Sequence, residues 1–183
     1  GVSVLLWDYR GFGRSEGKPS EEGLYRDGEA AWKWLHESVS ANRLPAALLG
    51  KSLGSAVAIH TAAVYAAEAA NPATLILDSA FTSMREVIAN VAPVPIELIP
   101  SLYESIGRVP AITCPTLVVH GGRDQLVPLR QGQRIYEALG APKAWRVVEQ
   151  AGHNDIVAYP QYHQWLLAFL RDPGGFIGSP QGR

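Results

Sequence analysis

Short apolar runs, each the length of a strand and too short for a stable helix, recur at residues 2–7, 46–49, 74–77 and 116–119, with a weaker fifth at 144–148. Between them the spacing turns helical. This holds over 21–39, where Leu24, Ala31, Trp34 and Leu35 follow an N-cap candidate in Ser20, and again over 55–70, 129–139 and 159–170. Strand alternating with helix predicts an α/β architecture, a mostly parallel sheet of about five strands with helices on both faces. Residues 81–115 break the rhythm, because Pro93, Pro95, Pro100 and Pro110 leave room only for short helices. This insertion is too small for a second domain, so one domain is expected over 1–170. The tail, 171–183, is rich in Gly and Pro without a period and is expected to be flexible, with Phe176 and Ile177 as the residues able to dock.

With 183 residues, 47% of them hydrophobic and 18% charged, the chain has the makings of one ordinary globular core. A formal net charge of −1, with no run of Lys or Arg, argues against nucleic acid or an anionic lipid surface as partner and favours a neutral or modest-sized substrate. The single Cys114 has no partner for an internal disulfide, and its place beside the 116–119 run points to packing. No stretch approaches the roughly 18 apolar residues of a membrane span. The chain starts at Gly1 without a methionine and enters an apolar run at once, which leaves room for an N-terminal signal or anchor ahead of it. On that reading any membrane association, and with it the choice between a cytoplasmic and a membrane-bound location, depends on an upstream segment.

The chemistry concentrates at residues 46–58, Ala-Ala-Leu-Leu-Gly-Lys-Ser-Leu-Gly-Ser-Ala-Val-Ala, which read strand, Gly-x-Ser-x-Gly, helix. A turn this tight forces Ser52 into a strained backbone conformation and lifts its hydroxyl above the sheet, with Gly50 and Gly54 expected to remove Cβ atoms that would collide as strand and helix pack. The amide of Leu53, at the start of the helix, then faces the same space and suits a developing oxyanion. Gly50-Lys51-Ser52 also resembles the end of a phosphate-binding loop, but that loop needs a glycine where Pro45 stands and a flexible cradle where 46–49 is an apolar strand. Gly11-Phe12-Gly13 likewise opens a dinucleotide fingerprint, yet Glu16 occupies the place of the third glycine and Lys18-Pro19 follows instead of a helix. No organic cofactor or metal is implied.

A serine hydroxyl needs a base near neutral pKa and a carboxylate to fix the imidazole's tautomer. Of the five histidines, His36, His60 and His163 fall within helices and His120 ends a strand, positions that suit structural roles. His153 differs: it lies in Ala-Gly-His-Asn-Asp, a polar loop after the last strand, from which it can reach Ser52. Asp124 follows the 116–119 strand in a turn at its carboxyl end, where ligands of α/β sheets gather. Asp78, at the end of its own strand, is the competing acid. The order Ser52, Asp124, His153 is the one expected for a nucleophile elbow on this kind of sheet.

These residues resemble the α/β-hydrolase superfamily, and more closely its abhydrolase-domain and serine aminopeptidase-like branch, to about Leu170. The resemblance rests on Asp-Tyr-Arg-Gly-Phe-Gly-Arg-Ser at 8–15, Gly-Lys-Ser-Leu-Gly at 50–54, Cys-Pro-Thr-Leu-Val-Val-His-Gly at 114–121 and Gly-His-Asn-Asp at 152–155. It implies that the runs correspond to strands four to eight of an eight-stranded sheet. The first three strands, and the His-Gly loop that gives the family its second oxyanion donor, have no counterpart here. The family's third strand lies between the fourth and fifth, so residues 2–7 and 46–49 either pair directly or leave the sheet open, and the resemblance implies that residues 1–183 are a fragment of a longer product. Ser55 stands where the branch often has glycine. The function so implied is hydrolysis of an ester, amide or related acyl bond on Ser52, with a noncatalytic binding module as the alternative. The apolar Val91, Val94, Ile96, Leu98, Ile99 and Leu102 of the insertion would then form one wall of an acyl pocket.

Overall fold

The computed structural model describes residues 1–40 and 44–179. Four strands, β1 (Ala47–Lys51), β2 (Thr74–Asp78), β3 (Thr116–Gly121) and β4 (Lys143–Val148), form one sheet in the order β1-β2-β3-β4. All neighbours are parallel. Around them lie α1 (Glu21–Ser40), α2 (Leu53–Val64), α3 (Met84–Val91), α4 (Leu129–Ala138), α5 (Pro160–Arg171) and α6 (Pro173–Gly178).

Alternation along the strands sorts side chains to two faces. Leu75 and Leu77 of β2 and Val118 of β3 pack with Trp32 of α1, Ile59 of α2 and Ile135 of α4. Ile76, Leu117 and Val119 pack instead with Tyr162 and Phe169 of α5 and Phe176 of α6. Because both faces are covered, every residue of β2 and β3 is buried, which explains their continuous apolar runs. β4 is buried only at alternate residues and reads more weakly. The α5 side of the sheet stops short of β1, where Leu49 is 52% exposed.

The expected first strand does not form. Residues 2–7 carry no regular structure, and Val2, Val4 and Leu6 face solvent. A strand exists by its ladder, and residues 2–7 are not among the strands paired with β1, so among the described residues the sheet has four strands where five were expected and β1 is an edge.

Ser20 caps α1 as expected, its Oγ accepting from the Gly23 amide at 3.1 Å, with Glu21 and Glu22 complementing the helix dipole in the first turn. The tryptophan it buries, however, is Trp32 and not Trp34, which is solvent-facing. Trp32 also donates through Nε1 to the Ala70 carbonyl at 2.8 Å, and turns replace α2 beyond Val64, short of the expected residue 70. The insertion holds α3 and two single-turn 3₁₀ segments, Ile96–Leu98 and Val109–Ala111.

The tail departs from the expected flexibility over α6. Asp172 accepts from the Gly175 amide at 2.9 Å, Pro173 opens the helix, and the Phe176 ring meets Phe169 edge-on at 5.6 Å while the Arg146 guanidinium lies 4.5 Å from its centroid. Residues 180–183 lie outside the described residues. Phe176→Ala is expected to cost about 3 kcal/mol of unfolding free energy in urea denaturation. An unchanged midpoint would mean that α6 contributes nothing to the core.

Candidate active site

Between β1 and α2 the backbone turns through Ser52 at φ 50°, ψ −120°, a left-handed conformation rare for a residue with a side chain. Three bonds hold it there. The Ser52 amide donates to the Asp78 carbonyl at 2.9 Å, and the Ser52 carbonyl accepts from the Ser55 amide at 2.8 Å and the Ser55 hydroxyl at 2.6 Å. Ser55, the departure from the family's glycine, thus braces the turn. Of the two flanking glycines only Gly50 is required by close approach: a Cβ there would lie 2.3 Å from the Gly54 carbonyl oxygen and 2.7 Å from the Ser55 Cα. A Cβ on Gly54 would meet nothing nearer than the Tyr9 hydroxyl at 3.7 Å, so the expected collision does not arise there.

Ser52 Oγ lies 2.9 Å from His153 Nε2, and His153 Nδ1 lies 2.7 Å from Asp124 Oδ2. Asp124 is buried in its turn, its Oδ1 accepting from the Leu126 amide at 3.0 Å and the Val127 amide at 2.8 Å. Burial by itself would push this carboxyl up. The hydrogen bonds with His153 and the Val127 amide, aided by the nearby His153 and His120, outweigh it and hold the group below the usual carboxylate range. An ionised Oδ2 can only accept, so His153 carries its proton on Nδ1 and turns a bare Nε2 toward the Ser52 hydroxyl. Leu53 begins α2, where the first amides have no partner within the helix.

Asp78 is not bonded to His153. Its side chain is buried on the α5 face, where Oδ2 accepts from Lys51 Nζ and the Tyr162 hydroxyl, each at 3.0 Å, and Oδ1 accepts from the Ser79 hydroxyl at 3.0 Å. Lys51 Nζ also donates to the His153 carbonyl at 2.9 Å. In the sequence Lys51 stands out only within the phosphate-loop ending set aside above, and Tyr162 has no signal beyond its place on a helix. Three of the remaining histidines are held by other partners. Buried His120 is held neutral by desolvation and meets the Val127 carbonyl through Nε2 at 2.8 Å, which braces the Asp124 turn. His60 pairs with Glu29 and stacks on Tyr25, and His163 meets the Val157 carbonyl. Cys114 is buried, its thiol pushed up to about 11 by burial. Among the described residues no group of three or more His, Cys, Asp or Glu side chains is arranged for a metal ion, and no helix is long and apolar enough to cross a membrane.

Of the six apolar residues expected to line a pocket, Ile99 is buried and Val91, Val94, Ile96, Leu98 and Leu102 are exposed. The insertion residues that cluster with Leu53 are Phe81, Met84, Val87 and Tyr103. Tyr103 has a left-handed backbone at φ 51°, and its amide donates to Glu21 at 2.9 Å.

Residues 1–107 match the sequence pattern of the family described as serine aminopeptidase, S33. The chain belongs to that family. The match contains Ser52 and ends before Asp124 and His153, so the grouping of those two with the serine rests on geometry. Similar proteins include an uncharacterized Mycobacterium tuberculosis protein, Rv2307c, 42% identical over 157 residues that cover 85% of this chain and 54% of that one. The human alpha/beta hydrolase domain-containing protein 17B is 32% identical over 169 residues, covering 92% of this chain and 56% of that one. The chain thus spans about half the length of the curated relatives it matches.

Among solved structures, the fold is similar to an alpha-beta hydrolase from Vibrio vulnificus, with a TM-score of 0.75 at 19% identity over 88% of this chain and 61% of that one. It is also similar to the Pyrococcus furiosus esterase Pf2001, with a TM-score of 0.71 at 22% identity over 90% and 68%. These likenesses establish the α/β-hydrolase fold, four parallel strands with helices on both faces of the sheet.

Two expectations follow for this family member. Gly50→Ala should lower the melting temperature by an amount equivalent to about 1–3 kcal/mol while Gly54→Ala leaves it nearly unchanged, and equal effects would contradict the packing described. Because the Asp124 carboxyl is held below the roughly 3.9 of a free aspartate, its ionised form contributes stability that is present above that value and lost as pH falls through the depressed one. Asp124→Asn should therefore destabilise the protein at pH 7, with the penalty shrinking as urea denaturation is repeated toward and below the carboxylate range.

Proposed function

We propose that this chain carries the machinery of a serine hydrolase that cleaves an ester, amide or related acyl bond through an acyl-enzyme on Ser52. The observation that supports this most is the continuous chain of bonds from the buried Asp124 through His153 to a serine in a strained turn.

In this reading His153 Nε2 removes the Ser52 proton as Oγ attacks the acyl carbon, and Asp124 orients the imidazole and stabilises its protonated form. The oxyanion that develops on the acyl oxygen accepts from the Leu53 amide at the positive end of α2. The imidazolium then gives its proton to the leaving alcohol or amine. Water, deprotonated by the same nitrogen, attacks the acyl-serine; the acyl group leaves as the carboxylic acid as the imidazolium returns its proton to Ser52 Oγ. The partner required is a small acyl substrate, and no metal or organic cofactor enters any step. Leu53 supplies one oxyanion donor, and a site with one donor is expected to turn over on the order of 100- to 1,000-fold more slowly than one with two.

Steady-state hydrolysis of a p-nitrophenyl ester tests the roles separately. Ser52→Ala should abolish turnover, and Asp124→Asn should lower kcat by about 10⁴-fold, the loss expected when the imidazole takes the wrong tautomer. Asp78→Asn should cost far less. If the Asp78 change is the severe one, the acid is misassigned. If the folded wild-type chain and its Ser52→Ala variant are equally inert, the noncatalytic binding module is the better reading.

A further inference from the structure

His153 has to make two hydrogen bonds at once from a loop with no regular structure beyond β4. That loop is tied to its own strand, to itself and to the Asp124 turn. The Ala151 amide donates to the Val148 carbonyl at 3.0 Å, the Arg123 amide to the Ala151 carbonyl at 2.8 Å, and the Gly152 amide to Asp155 Oδ1 at 2.6 Å. None of these bonds reaches β1, which carries the serine.

Lys51 spans that gap. It is the last residue of β1, directly opposite Asp78 in the ladder, and its ammonium sits between Asp78 Oδ2 at 3.0 Å and the His153 carbonyl at 2.9 Å. The Asp78 carboxylate has no solvent exposure, and a buried carboxylate needs a cation and further donors. Lys51 supplies the cation and the hydroxyls of Tyr162 and Ser79 supply the donors. The Asp78 carbonyl, in turn, receives the Ser52 amide. One residue of β2 therefore fixes the serine turn through its backbone and aims Lys51 at the histidine loop through its side chain.

We propose that Lys51 is a positioning residue, whose ammonium, fixed by Asp78 and Tyr162, ties the His153 main chain to the serine strand and keeps Nε2 within reach of Ser52. The idea rests on the reading of Ser52 and His153 given above. Lys51 Nζ bonds to Asp78 and to the His153 main chain and touches no reacting atom, so its part is to position. Loss of the tether should misplace the imidazole by a fraction of an ångström to an ångström, which lowers kcat without altering substrate binding.

Lys51→Met alone strands the Asp78 charge, so the informative variant is the double change Lys51→Met/Asp78→Asn, which removes donor and buried charge together. With the fold verified by circular dichroism, kcat on a p-nitrophenyl ester should fall about 10- to 100-fold at unchanged KM. The downfield proton resonance of His153 Nδ1 should broaden or shift, and Lys51→Arg, which keeps a donor and the charge, should retain most of kcat. A folded double variant with wild-type kcat and an unmoved His153 resonance would overturn the proposal. Absence of turnover in the wild-type chain would count against the serine hydrolase reading instead, and the resonance comparison would still decide on the tether.

Discussion

A non-glycine residue at φ 50° costs on the order of 1–3 kcal/mol and persists only where its surroundings over-determine it. Ser52 is so enclosed. β1 enters the turn already paired with β2, Gly50 lacks the Cβ that would hold α2 away, and the Asp78 carbonyl and Ser55 hydroxyl fix the peptide groups on either side. From this constraint follow the direction of the serine hydroxyl, the arrival of the α2 amino terminus beside it, and the placement of Lys51 on the opposite side of the sheet.

The sheet order does the rest of the assembly. Ser52 follows β1, Asp124 follows β3 and His153 follows β4, so three separate loops converge over the carboxyl ends of the strands. β2 lies between the first two and contributes Asp78, a carboxylate close to the serine in space but turned to the α5 face. Alternation along the strand, and the claims of Lys51, Ser79 and Tyr162 on its oxygens, keep it from His153. Two carboxylates that compete for one role in the sequence are thereby given different partners by the side of the sheet on which each points.

What was legible in the sequence is what local pattern encodes. β2 and β3 show as apolar runs because both faces are buried, the serine turn shows because glycines and a strand-to-helix switch accompany it, and Asp124 and His153 show because each follows a strand in a polar loop. What was hidden depends on distant partners. Residues 2–7 have the composition of a strand, but a ladder requires a neighbour that local pattern does not specify. Trp32 and Trp34 are nearly equivalent to a periodicity argument, and the difference lies in the Ala70 carbonyl waiting for an indole N–H. Lys51, Tyr162 and Asp78 meet across separations of 27, 84 and 102 residues along the chain, counting the bond from Lys51 to His153, and nothing local marks them as a group.

An activated Ser52, as proposed, is open to covalent capture. Incubation of the folded protein with a fluorophosphonate, followed by peptide mass mapping, tests it most directly, since covalent capture requires a serine that is both exposed and deprotonated by a neighbouring base. A single adduct on Ser52, absent in Ser52→Ala and strongly slowed in a His153 variant, is the predicted result. A folded chain that stays unlabelled, or one labelled at another serine, would contradict it.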